Sequence, residues 1–172
     1  YLSFKKETNQ YELGKDYLKE YIEYGGFPII AIQSFSRKEA YTIVKDIYNS
    51  VIFIEIVKRN SIRKVDLFER VVKFIFENIG KTFSASSITA FFKSEERMVD
   101  KETLYNYISY LEKAYIIYRA NRYDIQGKEV LKTQEKYYLS DQSLKYSMLS
   151  FNSKMIASVL ENIVFLELRR RH

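Results

Sequence analysis

This sequence has no cysteine and no tryptophan, one histidine (the last residue, His172), one proline (Pro28) and five glycines. Each shortage excludes something. Without cysteine there is no disulfide, no cysteine–zinc site and no thiol catalysis. One histidine cannot build a multi-histidine metal centre, and a His-based triad is out. So few glycines and prolines leave little material for tight turns and favour a helix-rich chain. No apolar run approaches the roughly 18–20 residues of a membrane span, and no secretory leader is evident. The expected setting is therefore cytoplasmic, with no membrane partner. Neither G-x-x-x-x-G-K-[ST] nor G-x-G-x-x-G occurs, so these residues encode no nucleotide-binding loop.

What is present is ordinary for a globular chain: 172 residues, 47% apolar and 29% charged. That is enough for one domain or two small ones. The net charge is +6, which raises the question of nucleic acid. Its distribution answers only weakly. Residues 1–63 carry 10 basic and 8 acidic side chains, 64–140 carry 13 and 11, and 141–172 carry 5 and 3. Each segment has the same small excess, whereas a dedicated DNA-binding module concentrates its charge. The sequence opens on Tyr1 rather than Met and stops within the run Leu168-Arg169-Arg170-Arg171-His172, so it reads as a segment of a longer chain.

Periodicity supplies the elements. Apolar residues at three- and four-residue spacing predict a helix over 11–24, ended by Gly25-Gly26-Phe27-Pro28. Ser36 is placed to cap the next helix, whose stripe from Val44 runs into Ile52–Val57, apolar nearly all round and read as helix. Val65, Phe68, Val71, Val72, Ile75, Phe76 and Ile79 then form an amphipathic helix. A short helix over 84–93 follows, and Asp100 caps a third with Leu104, Ile108, Leu111 and Tyr115 on its inner face. The period then drops to two over 116–121, and a strand returns over 130–139 after Gln126-Gly127. Three helices and a ribbon in this order are those of a winged helix-turn-helix. A further short helix to Met148 and a final helix from Ser153 or Lys154, with Ile156, Val159, Leu160, Ile163, Val164 and Leu166 on a broad apolar face, complete the chain.

The third helix would be the recognition helix. Its outward Lys101 and Asn106 are candidates for phosphate and adenine, and Arg119, Arg122, Lys128 and Lys132 of the ribbon are candidate phosphate contacts. Glu102 and Glu112 nearly neutralise the helix, however, so a protein partner competes with double-stranded DNA. The 16 tyrosines read as aromatic packing rather than base stacking. Glu161 and Glu167 are six residues apart on the final helix and fall on different faces, so they cannot form a paired metal site by themselves. No catalytic residue and no metal ligand is expected within this segment.

Taken together, Tyr24-Gly25-Gly26-Phe27-Pro28, the helix over 41–63, the winged-helix spacing, Lys136-Tyr137-Tyr138-Leu139-Ser140-Asp141 and Leu160-Glu161-Asn162-Ile163-Val164-Phe165-Leu166-Glu167-Leu168 stand in a recognisable order. The chain resembles, over nearly its whole length, the C-terminal region of bacterial and archaeal AAA-type P-loop ATPases. It departs from their pattern at Ile54-Glu55-Ile56, where a Lys-Asp-Ile run is common. The resemblance implies an upstream ATPase domain using ATP and magnesium, and a downstream fold similar to the PD-(D/E)XK nucleases, in which Glu161 would match the first-helix glutamate. The expected fold is thus mainly α: a helical connector (1–63), a winged helix with a small β-ribbon (64–140), and the truncated start of an α/β nuclease-like domain (141–172). The expected function is a non-catalytic part of an ATP-binding protein whose winged helix engages DNA or a protein. The alternatives are a free-standing winged-helix transcription regulator and, given further sequence, a metal-dependent nuclease.

Overall fold

The computed structural model describes residues 1–9, 11–13, 16–95, 98–124, 129–150, 152 and 156–171, with the side chains of Phe4, 122–124 and 129–134 outside the description. The protein is mainly helical, with one small three-stranded antiparallel sheet. It divides into two compact units: unit 1 comprises Tyr1–Val51 and Asp141–His172, and unit 2 comprises Ile52–Ser140. This differs from the division expected from the sequence. The segment from 141 is not a separate module but completes unit 1, because its first helix lies along the helix ending at Ser50.

Unit 1 begins with α1 (Leu2–Glu7), which the sequence reading missed, and α2 (Tyr17–Tyr24). α2 starts later than periodicity predicts because Asp16 caps it, accepting from Lys19 N–H at 3.0 Å. Pro28 then sits at the first position of α3 (Pro28–Ile32), where its missing N–H and fixed φ cost nothing. Ser36 and Glu39 form a reciprocal capping box on α4 (Arg37–Ser50). Ala40, Val44 and Tyr48 of α4, Ile30 and Ala31 of α3, Leu144 and Tyr146 of α8 (Ser143–Leu149), and Val159 of α9 (Ile156–Arg171) form the buried interior. The broad apolar face expected of α9 is only partly used: Val159 and Asn162 are buried, while Leu160, Val164 and Leu168 are exposed.

A clamp closes unit 1 across 115 residues of sequence. Gly26 N–H donates to Asp141 Oδ2 at 2.7 Å, and Ser143 N–H donates to Asp141 Oδ1 at 2.8 Å with the Ser143 hydroxyl on the same oxygen. The Gln142 amide donates to the Tyr21 carbonyl. Asp141 is buried, and burial pushes its carboxyl above the usual range, while the Ser143 and Gly26 hydrogen bonds pull it back. Gly25 makes the approach possible. Its backbone lies at φ +83°, ψ −168°, a conformation open only to glycine. A Cβ there would fall 2.2 Å from Asp141 Oδ1 and 2.7 Å from Ser143 Oγ.

Unit 2 begins at Ile52, within the π-helix Val51–Lys58, whose Ile52 and Ile56 are buried and whose Phe53 and Ile54 are exposed. The segment is helical as its unbroken stripe implies, but the wider winding leaves it half-buried rather than enclosed. α5 (Val65–Glu77) buries Leu67, Phe68, Val71, Val72, Ile75 and Phe76. β1 (Thr82–Phe83), too short to leave a period-two signal, pairs with β3 (Glu129–Leu139), which also pairs with β2 (Ile117–Asp124), giving the order β1-β3-β2. α6 (Ala85–Ser94) and α7 (Lys101–Lys113) lie between β1 and β2. This is the helix, short strand, helix, helix and ribbon order of a winged helix. Gly80 N–H donates to the Tyr137 carbonyl at 3.1 Å, tying the end of α5 to β3, and Ser140 N–H donates to the Ile116 carbonyl at 3.1 Å, extending the β2–β3 pairing by one step. α7 ends in a Schellman pair: Tyr115 N–H donates to Glu112 O and Ile116 N–H to Leu111 O. Tyr115 takes φ +55° and is 70% exposed, so it does not join Leu104, Ile108 and Leu111 on the inner face as the spacing predicts.

Candidate partner-binding surface

α7 is the helix the winged-helix order sets outward. Its start is held by Asp100, which accepts from Thr103 N–H and from the Thr103 hydroxyl, each at 2.7 Å. These two bonds hold the Asp100 carboxyl below its usual range. Leu104, Tyr107, Ile108 and Leu111 bury one face, and Tyr107 meets the Phe68 ring edge-on at 5.1 Å between centroids. Lys101, Glu102, Tyr105, Asn106 and Lys113 are exposed. Lys101 and Asn106 are thus both exposed, but five residues apart they point about 140° apart around the helix, so the structure does not bring them onto one face.

Arg119 is placed otherwise. From β2 it donates Nε to Glu112 Oε1 at 3.1 Å and Nη2 to Glu112 Oε2, and its Nη1 reaches Glu135 Oε1 at 3.3 Å. The Tyr137 hydroxyl donates to the other Glu135 oxygen, and the guanidinium stands 6.0 Å from the centre of the Tyr137 ring. The fork on Glu112 is the bidentate geometry that arginine makes with carboxylates, and it raises the Arg119 pKa further. Arg119 therefore ties α7 to the sheet with its charge already matched by two carboxylates. The sequence reading counted Glu112 only as neutralising its own helix. The signal that could have found the knot is the period of two in β3, which sets Glu135 and Tyr137 on one face.

Of the remaining candidates, Arg122 lies in β2 opposite Leu131, and Lys132 lies in β3. The side chains of both fall outside the described residues, and Lys128 lies outside them altogether. Glu161 is exposed on α9, in unit 1. Its neighbour Glu167 is engaged by Arg170 and Arg171, which hold its carboxyl down at about 2. Among the described residues no group of three or more Asp, Glu, His or Cys side chains could hold a metal ion, and no helix is long and apolar enough to cross a membrane.

With this geometry in place, comparison with known proteins decides the family. A model described as "Domain of unknown function (DUF8612)" matches residues 15–155. The chain belongs to this family. An "Uncharacterized protein" of Haemophilus influenzae is 33% identical over 171 residues, covering 99% of this chain and 42% of that protein. "Uncharacterized protein MJ1544" of Methanocaldococcus jannaschii is 32% identical over 157 residues, covering 90% of this chain and 34% of that protein. The chain therefore spans less than half the length of these relatives. No solved structure matches it.

Proposed function

We propose that this DUF8612 chain is a non-catalytic segment of a longer ATP-binding polypeptide, and that its winged helix engages a protein partner. The observation that carries the reading is α7. It is set outward, with Lys101 and Lys113 balanced by Glu102 and Glu112, and the nearest ribbon arginine, Arg119, is neutralised by Glu112 and Glu135. A helix meant for the phosphate backbone needs unmatched cations, because released counterions supply most of that affinity. A protein partner needs none. The ATP-binding part, with its magnesium, rests on the resemblance to AAA-type ATPases; the relatives, more than twice as long as the matched segment, leave room for a further domain.

Two measurements test this. The first is ATP binding with magnesium by a full-length polypeptide containing this segment, against the 172-residue chain alone. Binding by the former and none by the latter is expected, and a full-length polypeptide that fails to bind ATP refutes that part. The second is titration of the chain with duplex DNA at two salt concentrations. Little binding at either is expected. Tight binding that weakens steeply with salt, and is lost on Lys101→Glu, would overturn the protein-partner reading in favour of a DNA-binding regulator.

A further inference from the structure

The outward face of α7 holds a stripe that matches itself. At about 100° per residue, Glu102, Asn106, Ser109 and Lys113 fall within about 60° of the helix circumference, opposite the buried Leu104, Tyr107, Ile108 and Leu111. Glu102, Asn106 and Lys113 are exposed and Ser109 is half-buried. None of these four side chains has a hydrogen bond or an ion pair among the described residues. The other charges of α7 are placed differently. Glu112 is engaged by Arg119. Lys101 lies more than a quarter-turn round from Glu102, outside the stripe. Tyr105, 46% exposed, borders the stripe.

The stripe reads the same from both ends. Set antiparallel on a copy of itself, about a point midway between Asn106 and Ser109, it pairs Glu102 with Lys113 twice and Asn106 with Ser109 twice. We infer that α7 of one copy of this chain docks on α7 of a second copy through this stripe, antiparallel and about a two-fold axis. The inference rests on the reading of α7 as a protein-binding face and names the partner. Charge complementarity selects it. A two-fold contact needs a surface complementary to itself, and here an unmatched carboxylate and an unmatched ammonium stand equally far from the midpoint. Turned parallel, the same helices would set Glu102 on Glu102 and Lys113 on Lys113, and like charges so placed are costly. Antiparallel pairing also lays the positive end of each helix beside the negative end of the other. Between the charges, the Asn106 amide and the Ser109 hydroxyl can each donate and accept. Tyr105 adds aromatic area, in which protein interfaces are rich. Duplex DNA finds no such match, because Glu102 stands at one end of the stripe and Lys113 is its one cation.

The contact is small, since about 17 Å of helix lies at the transient end of interface sizes. Sedimentation velocity of the 172-residue chain over rising protein concentration reads it, and a monomer–dimer equilibrium is expected. Glu102→Lys and Lys113→Glu should each weaken self-association at least about tenfold, because each sets like charges together. The double variant Glu102→Lys/Lys113→Glu exchanges the pair and should restore association to within about threefold. An equimolar mixture of the two single variants should form dimers that neither forms alone. Both positions are exposed, and circular dichroism checks that the variants fold. A chain that stays monomeric, single reversals that leave association unchanged, or a double reversal that does not restore it would each overturn the inference. A monomeric chain leaves the protein-partner reading of α7 standing. That reading falls instead to the DNA titration.

Discussion

Replacing Gly25 by alanine tests the clamp that closes unit 1. Two costs combine. The backbone at φ +83°, ψ −168° is open essentially only to glycine, and holding another residue there costs about 1–3 kcal/mol. The new Cβ would also sit 2.2 Å from Asp141 Oδ1 and 2.7 Å from both Cβ and Oγ of Ser143. These atoms belong to buried residues, so the carboxylate must move off its donors. Stripping partners from a buried charge costs about 3–5 kcal/mol. Even if relaxation recovers part of this, the loss should be at least about 3 kcal/mol, or a fall of about 1–3 M in the urea midpoint at a typical slope for small proteins. Two probes report it: the urea transition of the chain, and hydrogen-exchange protection of the Gly26 amide, which donates to Asp141. Gly26→Ala is the internal control. Its Cβ would meet the edge of the Tyr21 ring at 2.9 Å and Asp141 Oδ2 at 3.3 Å, and a side-chain ring can swing aside. It should therefore cost clearly less. If Gly25→Ala unfolds within about 0.5 kcal/mol of the parent, or if Gly26→Ala costs as much, the clamp does not bear the load assigned to it.

Three further predictions follow from the geometry. Tyr115→Gly should stabilise unit 2 by about 1 kcal/mol, because an exposed tyrosine holds a left-handed φ that glycine adopts freely; a lower thermal midpoint contradicts the reading of the α7 end. Arg119→Gln should destabilise unit 2 by about 1–2 kcal/mol, since Glu112 and Glu135 lose their shared donor, and should leave any DNA binding unchanged; a specific loss of DNA affinity without a stability change would make Arg119 a phosphate contact. The Glu167 carboxyl, held down at about 2 by Arg170 and Arg171, should titrate far below an ordinary glutamate in a carbon-13 NMR experiment. Because its pKa is depressed, its contribution to the last turn of α9 is present above about pH 4.3, the ordinary glutamate value, and fades as the pH falls through about 2. A midpoint near the ordinary value shows that the two arginines do not hold it.

Much of the winged helix was legible in the residues. The stripe from Val65 to Ile79, the Asp100 cap and the change to period two near Ile117 are local features, which repeat or stop with the geometry of the element. The misses are of two kinds. Some are local but weak: α1 and α3 are short, β1 has two residues, and a stretch that brief holds no full period. Others are matters of termination. The α7 stripe continues to Tyr115 on paper, but the Schellman turn rotates that residue into solvent.

The candidate site divides the same way. That Lys101 and Asn106 are both exposed follows from their positions on a capped helix, outside the stripe of Leu104, Ile108 and Leu111. That Arg119 is spent on Glu112 and Glu135 does not, because it depends on how α7 meets the sheet. The two glycines before Phe27 and the aspartate at 141 were visible as separate signatures, and the sequence by itself determined that a sharp corner follows α2 and that a new element begins near Ser143. Only the tertiary structure decided that the corner and the aspartate are one clamp, and that 141–171 completes the unit begun by 1–51. The physical reason is range. Periodicity and caps record contacts within a few residues, whereas a buried carboxylate finds its donor 115 residues away only along the path the whole chain takes.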